Sequence, residues 1–204
     1  MKQAKLLTEP EFRRLNAIVN ALRYPTRNHT AVALSFYAGL RACEIAALRV
    51  GDVFDETGLV KNSIYMSASQ TKGSDGATVL VNSKLSKQLK KFGQQYPTHM
   101  ADRTAPLLFS AKGGGFTAQT VVNLFKRIYK LAGIDGASSH SGRRQFVTQL
   151  ADRGINARLV QVGLVTVQFR SLSSTICYEG DMEWQRDTQT SFAVMRCGSP
   201  RRVD

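Results

Sequence analysis

Apolar residues recur at helical spacing through most of this chain, and one stretch breaks the rule. Between residues 63 and 81, Ile64, Met66 and Ala68 alternate with Ser63, Tyr65 and Ser67, and Thr78 to Val81 is β-branched and apolar. A period of two marks a half-buried strand, whereas a period near 3.6 marks an amphipathic helix. Helices on both sides of a single period-two stretch leave room for one small sheet. The expected fold class is therefore α+β, mostly α-helical, with a small antiparallel β-sheet. Gly73-Ser74-Asp75-Gly76 between the two runs is turn chemistry, which makes a hairpin with Lys72 at its tip.

The helical segments carry their own punctuation. Thr8-Glu9-Pro10-Glu11 has the pattern of a capping box with proline in the first turn, followed by Phe12, Leu15, Val19 and Leu22 on one face. Thr30 to Leu40 is apolar almost all round, as for a helix deep in a core, and Gly39 ends it. A short helix is expected from Cys43 to Leu48, with Gly51-Asp52 as its stop. Leu85, Leu89 and Phe92 define another, with Lys84, Lys87, Lys90 and Lys91 on its solvated side. Val121, Val122, Phe125, Ile128, Tyr129 and Ala132 define a third, opposite Lys126, Arg127 and Lys130. The last two run from Ser141 to Asp152 and from Asn156 to Val162. Gly113-Gly114-Gly115 is a loop and not a phosphate cradle, since no Gly-Lys-Ser/Thr follows it.

The 204 residues carry 28 lysines and arginines against 15 acids, a net charge of +13. Such an excess favours a polyanionic partner, with double-stranded DNA or other nucleic acid ahead of a membrane surface. A basic surface that binds nothing is the bland alternative. No apolar run approaches the roughly 18–20 residues of a membrane span. The N-terminus lacks the apolar core of a signal peptide. Cys43, Cys177 and Cys197 lie far apart and read as reduced thiols, so a cytoplasmic protein without structural zinc is expected.

Chemistry concentrates in Arg41, Lys72, His140, Arg143 and Tyr178. Two arginines, a lysine and a histidine suit a site that holds and neutralises a phosphodiester without metal, and a tyrosine can attack one. Each has a plainer reading: a surface arginine, a hairpin lysine, a capping histidine, a buried tyrosine. Glu44 reads as structural, orienting an arginine or a backbone amide. Arg144 reads as a phosphate or solvent contact, or as the clamp itself if the register slips by one.

The surrounding words favour the functional reading. Tyr37-Ala38-Gly39-Leu40-Arg41-Ala42-Cys43-Glu44-Ile45 resembles the first signature block of the tyrosine recombinases, the phage-integrase family. His140-Ser141-Gly142-Arg143 resembles the second block, Gln70-Thr71-Lys72-Gly73 the hairpin lysine, and Ser171 to Tyr178 the approach to the nucleophile. The resemblance covers Leu6 to Tyr178 and implies a metal-free and cofactor-free DNA strand transferase of the site-specific recombinase type. It implies Arg41 and Arg143 as phosphate clamps, His140 as proton acceptor or donor, Lys72 as general acid and Tyr178 as nucleophile. Lys126, Arg127, Lys130 and Arg144 are then candidate DNA-phosphate contacts. Self-association on paired DNA sites and a nucleoid-associated location are implied too.

Two departures stand out. The family's third-block histidine falls about nine residues before the tyrosine, where this chain has Phe169, or Leu164 if the element is anchored on Gly163, and its histidines are only His29, His99 and His140. After Tyr178 the chain turns polar and acidic, so the expected organisation is a catalytic domain over 1–178 and an atypical tail over 179–204. With Arg41 so early, no N-terminal clamp domain is expected, as in short single-domain members. A catalytically impaired relative that binds DNA without cutting it is the alternative.

Overall fold

A computed structural model describes residues 3–71 and 76–152. They belong to one compact unit, residues 1–168; the domain boundary expected at Tyr178 and the helix expected from Asn156 lie outside the described residues. Eight helices and one two-stranded sheet surround a single apolar core among these residues. Helix α1 spans Glu9–Ala21 and starts as its sequence predicts. The Glu11 carboxylate accepts from the Thr8 backbone N–H at 2.9 Å and binds Lys5 Nζ at 2.6 Å. Leu15 and Val19 point into the core, and Phe12 and Leu22 border it.

Helix α2, Pro25–Tyr37, begins five residues before the apolar run that marked it. The first turn was hidden by polar residues that are nonetheless buried. Arg27 lies 4.7 Å from the Tyr24 and Phe116 ring centroids and donates to the Phe109 carbonyl at 2.9 Å. Its Nε and Nη2 donate to the Asn28 amide oxygen. Proline at the first helical position fits this start, because its missing N–H would have had no partner there.

After the turn at Gly39 come α3 (Ala42–Ala47) and α4 (Val50–Val53). Gly51-Asp52, expected to stop a helix, sits inside α4. The break falls earlier, at Leu48 and Arg49, which are extended, and Asp52 caps the new helix by accepting from Arg49 N at 2.8 Å.

Strands β1 (Ser63–Met66) and β2 (Ala77–Leu80) pair antiparallel, Ser63 opposite Leu80 and Met66 opposite Ala77. Ile64, Met66, Ala77 and Val79 face the core, whereas Tyr65 and Leu80 face out. The alternation does not continue through Ala68. Ala68–Gln70 is a turn of 3-10 helix, so β1 ends at Met66 and the connection towards β2 opens with that turn. Helix α5 (Ser83–Gln95) is capped by the Asn82 side chain, and the short α6 (Pro97–Met100) follows. Helices α7 (Ala118–Leu131) and α8 (Ser141–Asp152) complete the unit. Helix α7 packs on α3 and α1, and α8 packs on α2.

Candidate active site

The site begins where α2 ends. Gly39 adopts φ 66°, the left-handed region where a side chain is disfavoured. This reverses the chain so that buried Leu40 donates to the Leu34 carbonyl and Arg41 becomes the residue that opens α3. Glu44, one turn into α3, folds its carboxylate back. It accepts from Arg41 N at 2.7 Å through Oε2 and from Arg41 Nη1 at 2.7 Å through Oε1. The reading of Glu44 as an orienter of an arginine or of a backbone amide is met in both senses.

Arg143 arrives from α8. Its Nη1 donates to the Gly39 carbonyl at 2.7 Å and lies 3.7 Å from Glu44 Oε2. Two guanidiniums more than a hundred residues apart in sequence therefore share one carboxylate. The side chains of Arg41, Arg143 and Glu44 are 33%, 16% and 3% exposed, so the carboxylate forms the floor and the cations the rim. Burial, and next the nearby Arg41 cation, push the Arg143 guanidinium below its ordinary value, while Glu44 pulls the other way. Arginine stays charged regardless. Among the described residues each guanidinium spends one N–H on a hydrogen bond, which leaves the others for a ligand.

Helix α8 reaches this place because of Gly142. A Cβ there would lie 2.2 Å from Ser35 Oγ and 2.8 Å from Phe36 Cδ2, so only glycine lets the first turn of α8 touch α2. Nothing in the sequence pattern signalled this contact. His140 stands just before α8; it is exposed, its N–H donates to Ser138 Oγ at 3.2 Å, and its carbonyl accepts from Arg144 N.

Arg144 differs from its neighbour. Its guanidinium donates to the Ala4 carbonyl and to Gln3 Oε1, and next to it Gln145 accepts from Leu7 N at 3.1 Å. Arg144 thus ties down the N-terminal segment, and Arg143 is the arginine that meets Arg41. Lys126, Arg127 and Lys130 are exposed on α7, opposite the buried Val121, Phe125 and Ile128. Lys72, Phe169 and Tyr178 lie outside the described residues.

Gln70 was not singled out by sequence, yet it anchors the loop that leads to Lys72. Its Nε2 donates to Asp52 Oδ2 at 2.8 Å and to the Ala47 carbonyl at 3.1 Å, and its Oε1 accepts from Ser67 N. Its place two residues before the lysine was the available clue.

A helical domain with a small sheet and a pair of arginines on a shared buried carboxylate resembles, in fold, solved structures of recombinases. The crystal structure of XerA recombinase superposes with TM-score 0.65 at 24% identity, covering 82% of this chain and 58% of that one. A lambda integrase dimer bound to a COC' core site gives 0.59 at 15% identity, covering 88% and 63%. In sequence, tyrosine recombinase XerD of Ralstonia nicotianae is 30% identical over 139 residues, 67% of this chain and 43% of the relative. Tyrosine recombinase XerA of Pyrococcus furiosus is 26% identical over 177 residues, 85% of this chain and 56% of the relative. The phage integrase family model matches residues 5–181, and the chain belongs to that family, as a tyrosine-recombinase catalytic domain. It spans about half the length of the curated relatives it matches.

Proposed function

We propose that this domain breaks and rejoins duplex DNA by transesterification at the Arg41–Arg143 pocket. The observation that carries the proposal is the meeting of those two arginines over Glu44. A phosphodiester resists attack because its non-bridging oxygens are anionic and its leaving group is poor. Planar guanidiniums match those oxygens, and charge fixed in place before the reaction is the largest lever on such a barrier. In the proposed step the Tyr178 oxygen bonds to phosphorus and the bond to the 5′ oxygen breaks. His140 takes the tyrosine proton, and Lys72 supplies one to the departing oxygen. The product is a 3′-phosphotyrosyl link, and attack by a 5′ hydroxyl reverses each transfer. Lys126, Arg127 and Lys130 would hold flanking phosphates, and pairing of protomers on two DNA sites follows from the same reading, as does a place with the cell's DNA.

The test is trapping on a nicked suicide duplex, where the proposal expects a covalent adduct that is absent in Tyr178→Phe. An adduct that survives that substitution sinks the assignment of the nucleophile. The second reading, a relative that binds DNA without cutting it, is favoured by Phe169, which cannot donate a hydrogen bond where the family has histidine. Retained DNA binding with no adduct, and cleavage gained on Phe169→His, would establish it.

A further inference from the structure

Helices α1, α2 and α5 enclose an open groove of about 750 Å³ whose residues are not those of the arginine pocket. Helix α5 runs back along α2. Its Asn82 cap donates to the Tyr37 carbonyl at the end of α2, and Gln88 donates to the Thr26 carbonyl and Thr30 Oγ1 near its start. The groove therefore begins beside the pocket end of α2 and leads away from it. Its floor is apolar, with half-buried Phe12 and Tyr37 in ring contact at 6.5 Å. Its rim carries Lys84, Lys87, Lys90 and Lys91, all exposed. Lys84 Nζ lies 5.8 Å from the Tyr37 ring, and Lys91 sits near enough to His29 to help burial depress that imidazole's proton affinity.

The lining contains four lysines and no carboxylate, and α5 itself has no acidic residue. No ion pair to another described residue reaches Lys87, Lys90 or Lys91. Lysine at 84, 87 and 91 repeats at one-turn spacing, and its ends are separated by about 10 Å along the axis. A duplex backbone would meet the lysines but leave the aromatic floor unused. An amphipathic helix meets both, with apolar side chains down and carboxylates at three- and four-residue spacing outward.

We infer that this groove docks an acidic amphipathic helix of a partner protein. The probe is a fluorescein-labelled peptide of about 18 residues, long enough to hold a helix in water, with a leucine stripe flanked by glutamates. Titrated with the full chain, it should bind saturably, and binding should weaken as salt rises. Lys87→Glu/Lys91→Glu should weaken it at least about tenfold, because like charges then face each other. Both lysines are exposed, so the thermal midpoint should hold; the milder Lys87→Gln/Lys91→Gln should fall between. A scrambled peptide of the same composition should bind several-fold more weakly. Absence of saturable binding, equal binding of the scrambled peptide, or indifference to both double substitutions would overturn the inference. Displacement of the peptide by duplex DNA with the same lysine dependence would overturn it in favour of a nucleic-acid surface.

Discussion

Replacing Gly142 with alanine adds one methyl group at the junction that aims Arg143. The new carbon would lie 2.2 Å from Ser35 Oγ, 2.8 Å from Phe36 Cδ2 and 2.9 Å from Ser35 Cβ. Ordinary carbon contacts are about 3.5–4.0 Å, so α8 must move off α2 by roughly 1 Å. Overpacking of this kind costs about 1–3 kcal/mol, and alanine returns up to about 1 kcal/mol of helix propensity. The net loss of roughly 0–2 kcal/mol corresponds to a thermal midpoint lower by up to about 8 °C for a chain of this size. Catalysis should suffer more. Arg143 is the next residue, its hydrogen bond to the Gly39 carbonyl is 2.7 Å long, and a displacement near 1 Å at a reacting site can cost roughly a hundredfold. Circular dichroism melting and the rate of adduct formation on suicide DNA measure the two effects side by side. Ser35→Ala removes the nearest clashing atom, a buried hydroxyl with no hydrogen-bond partner among the described residues, so Ser35→Ala/Gly142→Ala should recover part of both losses. A Gly142→Ala protein that melts within a degree of the parent and forms adduct at the parent rate would refute the packing argument.

Glu44→Ala should destabilise the domain by about 3 kcal/mol, since it leaves two adjacent guanidiniums, one of them largely buried, without their counter-charge. Added phosphate or sulfate should restore more of the thermal midpoint in this variant than in the parent. Glu11 is held down to about 2 from an ordinary 4.5, first by its hydrogen bond to Lys5 and then by the Thr8 N–H. A carboxylate lowered by folding stabilises the fold above its unfolded value, and that contribution disappears as pH falls from 4.5 towards 2. Urea midpoints at pH 6 and pH 3 should therefore converge for Glu11→Gln relative to the parent, and an unchanged gap would dismiss the pairing. Converting Lys126, Arg127 and Lys130 to glutamine should flatten the dependence of DNA affinity on salt by about 0.9 in log–log slope for each true phosphate contact. A slope that does not change would remove α7 from the DNA interface.

Local rules were legible along the chain where the residues concerned answer to their near neighbours. Thr8 and Glu11 meet each other across one turn, Leu85, Leu89 and Phe92 repeat at helical spacing, and Ile64 and Met66 alternate, so α1, α5 and β1 could be read directly. The start of α2 could not, because Arg27 and Asn28 are buried polar residues, and Arg27 is held there by Phe109 and Phe116 from elsewhere in the chain. The alternation past Met66 was misread because Ser67 and Gln70 close a local hydrogen-bonded turn that has the same residue types as a strand. Arg41 and Arg143 were recognisable from their flanking words, but the joint that brings them together was not. Glu44 was read as the orienter of an arginine, but its reach to Arg143, the Gly39 carbonyl and the missing Cβ of Gly142 were not, because no spacing rule connects positions a hundred residues apart.

Two cations over one carboxylate leave the pocket with a single unit of positive charge. A phosphodiester carries a single negative one, so an internal DNA linkage would fill the site to neutrality, whereas a terminal phosphate dianion would overfill it. In the proposed step, more negative charge would develop as phosphorus becomes five-coordinate than the ground-state diester carries, and Glu44 already claims part of what the arginines can offer. The surplus falls to groups outside the triad. On the proposed mechanism, Glu44 would set how much of that charge the arginines could hold alone, and how much would be left for His140 and Lys72.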